Sequence, residues 1–278
     1  MDRGAVPIED VTTVVRTQDG RHLAATLTVP KSPGRAIVLV HGGGVTREEG
    51  GFFTRLAAGL AEGGVASLRF DLRGHGESEG HQEELTLSTI LNDIATAITH
   101  TRDATGIEAV SLLGASFAGG ITGYYAAKRP NDVDRLVMIN PLLNYKKRFI
   151  DDKPYWSGDR IDDESAEVLN SQGYVAHSPT FKLGRSLLNE VFWLQPHTTV
   201  AEIAAPTLII HGTNDTFIPI ESSRAAAARI QSAHRLIEID GAQHGIAAHD
   251  DPQYLQPQTQ EWQAFVIQEV TKWITATS

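Results

Sequence analysis

The sequence predicts an α/β protein, a mostly parallel β-sheet with helices on both faces and one segment inserted between two sheet strands. Three observations lead there. Short β-branched runs alternate with longer stretches of helical periodicity, the pattern of repeated βαβ units. The alternation breaks once, over residues 144–197, where the chain turns polar and aromatic for longer than a plain loop. A chain of 278 residues suits one large domain carrying such an insertion.

The elements follow in order. Residues 11–17 and 22–30 flank Gln18-Asp19-Gly20 and read as a hairpin that adds an antiparallel edge. Residues 36–44 are a short apolar run ending in glycines, a buried strand by type. Residues 52–64 read as a helix stopped by glycines, and 65–74 as a strand. Over 85–101, Leu87, Ile90, Leu91, Ile94 and Ile98 share one helical face. A strand at 109–116 runs into a helix at 117–130, stopped by Pro130. Strands at 134–141, 205–215 and 234–241, a helix at 222–230 and an amphipathic helix at 260–274 complete the chain. The expected organisation is a core of residues 1–143 and 202–278, with a cap, or lid, at 144–201.

Composition narrows the function. Apolar residues make up 41% and charged residues 21%, ordinary for a globular protein. The net charge of −10 disfavours nucleic acid and anionic membranes as partners. The absence of cysteine excludes disulfides, thiolate zinc sites and cysteine nucleophiles. No stretch is apolar for the roughly 18 residues of a membrane span, and residues 1–10 contain no apolar leader, so a cytoplasmic location is expected. No His/Asp/Glu spacing suggests a metal, no phosphate loop is present, and no cofactor is expected. A homodimer is compatible with the sequence, which fixes no oligomeric state.

The chemistry is concentrated where residues 109–116 turn into the next helix. Ser116 stands at that corner with Gly114 two residues before it and Ala118 two after, followed by Gly119 and Gly120. A sharp strand-to-helix turn lifts a serine above the sheet and aims the next backbone N–H at developing negative charge, but leaves no room for neighbouring side chains. The alternative is that Ser116 only caps the helix.

On these residues the chain resembles the α/β-hydrolase superfamily over nearly its whole length. His41-Gly42-Gly43-Gly44 follows a buried strand, and the Arg69–Gly80 stretch, RFDLRGHGESEG, is similar to a stretch of monoacylglycerol-lipase-like and feruloyl or cinnamoyl esterases. The resemblance implies the α/β-hydrolase fold and a nucleophile, acid and base in that chain order. Ser116, Asp215 in LIIHGTND and His244 in IDGAQHG fill those places, each at a strand end on one sheet edge. The backbone N–H groups of Gly43 and Phe117 are the implied oxyanion donors. His41, Asp71, Arg73 and Ser78 are read as structural, and His211 as buried. His249, Asp240, Asp250 and Asp251 are rivals near His244, but the loop pattern favours His244. A serine at the corner excludes an aspartate nucleophile. The expected activity is hydrolysis of a carboxylic ester, or next a thioester, with an apolar or aromatic acyl group. Trp156, Phe181 and Trp193 are the candidate lining of its pocket. An acyltransferase on the same three residues and a non-catalytic small-ligand receptor remain alternatives.

Overall fold

The computed structural model describes residues 8–276, so most of the stretch read as lacking a leader lies outside the described residues. Strands β1 (Ile8–Arg16) and β2 (His22–Pro30) pair as the expected hairpin. Then come β3 (Arg35–Val40), α1 (Phe52–Glu62), β4 (Val65–Phe70), α2 (Leu87–Thr105), β5 (Val110–Ala115), α3 (Phe117–Lys128) and β6 (Leu136–Ile139). The inserted segment holds the short strands β7 (Trp156–Ser157) and β8 (Arg160–Ile161), helix α4 (Asp163–Gln172), the hairpin of β9 (Tyr174–Ser178) and β10 (Phe181–Gly184), and α5 (Arg185–Glu190). The chain closes with β11 (Thr207–Gly212), α6 (Glu221–Ala227), β12 (His234–Ile239) and α7 (Pro257–Thr275).

Eight strands form one sheet in the order β1-β2-β4-β3-β5-β6-β11-β12. Only β2 runs against the rest, being antiparallel to both β1 and β4, while every other adjacent pair is parallel. This is the α/β-hydrolase fold. Both faces are covered, so the central strands are apolar on both sides. Alternation along β3 shows the division: Ala36, Val38 and Val40 enter the core under α2 and α3, whereas Ile37 and Leu39 enter the core under α1 and α7.

Several strands stop earlier than the apolar pattern suggests. β3 ends at Val40 because the amides of Gly42 and Gly44 hydrogen-bond to side chains instead of a neighbouring strand. β4 ends at Phe70, where Asp71 begins to organise a loop. Helix α2 runs further than the pattern, to Thr105, where Gly106 at φ +70° supplies the left-handed stop.

Candidate active site

Five adjacent parallel strands deliver residues to one sheet edge. In spatial order, β3, β5, β6, β11 and β12 lead at their carboxyl ends to Gly43, Ser116, Asn140, Asp215 and His244.

Ser116 has φ +50° and ψ −118°, a conformation that a non-glycine residue holds only when its surroundings enforce it. Its side chain makes no capping bond to α3, which argues against a helix-cap role. The Oγ instead lies 2.8 Å from His244 Nε2. A Cβ on Gly114 would collide with the Thr122 side chain and come within 2.8 Å of the Ala118 carbonyl oxygen. The glycine is therefore a consequence of how closely α3 starts against β5.

His244 Nδ1 lies 2.7 Å from Asp215 Oδ2. The carboxylate can only accept, so Nδ1 carries the proton and Nε2 is left to accept from Ser116. Asp215 is buried and fully engaged. Its Oδ2 also accepts from Asn140 Nδ2 at 2.7 Å, and its Oδ1 accepts from the backbone N–H groups of Phe217 and Ile218 at 2.8 Å each. Burial alone would push this carboxyl up. Hydrogen bonding to His211 and His244 outweighs it and holds the group well below the usual carboxylate range. His211 is buried as expected, with Nε2 donating to the Ile218 carbonyl and Nδ1 accepting from Ser223.

Beside the serine the three glycine amides divide their work. Gly42 N–H donates to Glu49 Oε2 at 2.8 Å, and Gly44 N–H donates to His75 Nε2 at 3.2 Å. Gly43 N–H, between them, has no partner among the described residues. The amide of Phe117 is the first of α3 and is unused by the helix. His41 accepts from Leu72 N–H and donates to the Gly42 carbonyl; burial pushes its imidazole down to about 3, so it is neutral and structural. Asp71 accepts from Arg47 and from Glu77 N–H, Ser78 donates to the Asp71 carbonyl, and Arg73 pairs with Asp93 and Asp19. All three shape the loop. His249 is exposed and turned to Gln243 and Asp250, while Asp240 accepts from Thr213.

The family model for serine aminopeptidases of the S33 type matches residues 31–158 and 160–251, most of the chain. The chain belongs to the S33 family. This S33 chain is 24% identical over 272 residues to a monoacylglycerol lipase of Mycolicibacterium smegmatis, covering 90% of the chain and 91% of that protein. Among solved structures it superimposes on Est1E from Butyrivibrio proteoclasticus with ferulic acid bound (TM-score 0.73, 23% identity, 94% of this chain and 100% of that one). It also superimposes on a monoacylglycerol lipase from Paleococcus ferrophilus (TM-score 0.68, 22% identity, 90% and 98%). At these identities the structural likeness speaks to the fold. Among the described residues, no helix is long and apolar enough to cross a membrane, and no group of three His, Asp or Glu side chains is placed to hold a metal.

Of the three aromatics expected over the serine of this S33 chain, the structure brings only Phe181 there. Its ring overhangs Gly43 and packs against Phe117 at 5.0 Å. Trp156 instead packs on Phe192 and lines a separate cavity of about 420 Å³ with residues of the inserted segment. Trp193 is 89% exposed. Residues 144–197 gave no periodicity from which inward and outward aromatics could be told apart. Sequence reasoning also missed Asn140, Glu49, His75 and Phe217, whose ring lies tilted against His244 at 4.9 Å. Asn140 did carry a signal, being a polar residue at the end of a buried strand.

Proposed function

We propose that this chain is a serine hydrolase that cleaves carboxylic esters, and by the same chemistry thioesters, with an apolar or aromatic acyl group. The observation that carries the reading is the unbroken chain Ser116 Oγ, His244, Asp215, with bonds of 2.8 and 2.7 Å and a serine backbone at φ +50°. His244 Nε2 removes the Ser116 proton as Oγ attacks the substrate carbonyl. Asp215 holds the Nδ1–H tautomer and stabilises the imidazolium. The amides of Gly43 and Phe117 receive the oxyanion. The imidazolium then protonates the leaving alcohol or thiol as its bond to carbon breaks, leaving an acyl-serine. Water, deprotonated by His244, attacks that ester, and the acid departs as Ser116 regains its proton.

Residues 144–201 act in this reading as a cap, with Phe181 closing over the oxyanion amides. The buried ring cluster of Phe181, Phe117 and Phe149 beside Gly43 supports an apolar or aromatic acyl group. The monoacylglycerol lipases among the relatives point the same way. The test is a panel of p-nitrophenyl esters and thioesters of rising acyl length, run with wild type and Ser116→Ala, with aminoacyl p-nitroanilides as the peptidase comparison. The proposal expects ester turnover that Ser116→Ala abolishes. Retention of more than a few per cent of the activity by that variant overturns it. Faster turnover of the anilides makes the chain a peptidase, and acyl transfer to an added alcohol in preference to water makes it an acyltransferase.

A further inference from the structure

Two cations beside the candidate site lack the partners that their neighbours have. Within one short stretch, Lys146 pairs with Asp151 and Asp159 at 2.7 and 2.8 Å, and Lys147 pairs with Asp152. Arg148 and Lys153 make no ion pair among the described residues. Yet these two are partly buried, and the Arg148 Nε is sealed from solvent without a hydrogen-bond acceptor. The Arg148 guanidinium lies over the Phe217 ring, 4.0 Å from its centroid, and the His244 imidazole lies 4.9 Å from the same ring. One aromatic ring therefore separates a guanidinium with an unsatisfied Nε from the base of the proposed reaction.

The surroundings deepen the imbalance. His177 packs against Phe217, Phe149 and Phe181, and its Nδ1 is buried without a partner. Burial, with help from Lys153 and Arg148, pushes its imidazole down to about 4, so it offers a neutral polar edge. Burial also lowers Arg148 and Lys153 from their ordinary values. Arg148 and Phe217 line a cavity of about 410 Å³ walled further by Leu142, Leu143, Ile218 and Pro219. Of the acids on that wall, Glu221 pairs with Arg224, and Asp152 pairs with Lys147 while acting on Arg148 and Lys153 only from a distance beyond an ion pair, as Asp215 does on Arg148. Partly desolvated cations without a direct ion pair are costly, and the cost is reduced by a ligand that brings a carboxylate into contact. The chain has ten more acidic than basic residues, so a shortage of carboxylates does not explain why these two cations make no ion pair.

We infer that Arg148 and Lys153 recognise an anionic group on the substrate, so that the preferred substrates are esters bearing a carboxylate remote from the scissile carbonyl. The inference rests on the esterase reading for its substrate class. A carboxylate there also offsets the positive charge that forms on His244 during each half-reaction.

The experiment uses two substrate pairs. p-Nitrophenyl hemiglutarate and its methyl ester differ by a charge on the acyl side; 4-acetoxybenzoate and its methyl ester differ by a charge on the leaving group. Wild type is expected to favour the charged member of one pair in kcat/KM by about 10- to 100-fold, and the pair that responds identifies the side. Added salt should shrink the preference. In the Arg148→Gln/Lys153→Gln variant the ratio should fall to about one. Equal or faster turnover of the neutral member in both pairs overturns the inference, as does a variant that slows both members in proportion. The neutral esters test the esterase reading separately. A turnover-independent arm uses glutarate and 4-hydroxybenzoate as product mimics at ionic strength matched with chloride. One of them should raise the melting temperature of wild type and not of the double variant; no shift with either overturns the inference by itself.

Discussion

Gly114→Ala adds one methyl group at the tightest point beneath the proposed nucleophile. The new Cβ would lie 2.8 Å from the Ala118 carbonyl oxygen and 2.8 Å from Thr122 Cγ2, with Thr122 Oγ1 nearer still, closer than real Cβ contacts come. The carbonyl belongs to the first turn of α3, so the helix must lift away from β5. Overpacking of this kind costs about 1–3 kcal/mol. For a chain of this size each kcal/mol moves the melting temperature by roughly 2–4 °C, so a drop of roughly 2–12 °C is expected. Lifting α3 also displaces the Phe117 amide and the Ser116 hydroxyl. A misplacement on the order of 1 Å lowers kcat by about 100-fold. A double-mutant cycle with Thr122→Ala locates the strain. Removing the threonine relieves the side-chain collision and leaves the carbonyl, so the pair should couple favourably by about 1 kcal/mol with only partial recovery. The assays are a thermal melt and ester turnover on all four proteins. A Gly114→Ala variant that melts with wild type and turns over at its rate refutes the steric account of this corner.

Other perturbations test single contacts. Burial raises the Glu49 carboxyl to about 7 against an ordinary 4.5, so the folded state holds its proton longer than the unfolded state and wild-type stability falls as pH rises from about 4.5 through 7. Glu49→Gln keeps an acceptor for Gly42 and lacks that slope, so melts at pH 5 and 8 should show the variant gaining on wild type at the higher pH. Asp215 is depressed, so its contribution is present above its ordinary value of 3.8 and lost as pH falls below it. Asp215→Asn should be less stable than wild type at pH 7, with the gap narrowing below pH 4, and should lower kcat by about 10³- to 10⁴-fold through the wrong histidine tautomer. Phe181→Ala should slow long-chain and cinnamate esters about 10- to 200-fold more than acetate esters, whereas Trp193→Ala should leave that preference unchanged; equal losses on all esters in Phe181→Ala point to a purely structural ring.

The central sheet was legible because its inner strands are buried on both faces and α1 and α2 carry apolar stripes. Ser116 was legible because small residues surround it, and the reason is the collision that Gly114 avoids. Glu49 was not. It stands next to Glu48 in a glycine-rich loop, and nothing local distinguishes the carboxylate that reaches the Gly42 amide from the one that reaches Arg69. Arg148 was hidden differently. Its significance lies in a partner it lacks, and in a stack on Phe217 from a distant loop. The inserted segment packs by similar long-range contacts, such as Glu190 accepting from the Leu87 amide at the start of α2.

The strand order has a further consequence. The inserted segment leaves the sheet after β6 and returns at β11, and these strands are immediate neighbours. Whatever is spliced between them, their spacing stays at the sheet's own pitch of about 4.8 Å. Asn140 at the end of β6 and Asp215 beyond β11 therefore stay in register with each other, and His244, one strand further out, reaches back over both to Ser116. The sheet acts as a ruler for the hydrogen-bonded chain, and the insertion hangs from two adjacent marks on it. The segment can change length, shape or charge and leave the distances along that chain intact. If the segment is the proposed cap, selectivity is in this way separated from chemistry: one can drift with each new substrate while the other is held by the backbone pitch of the strands beneath.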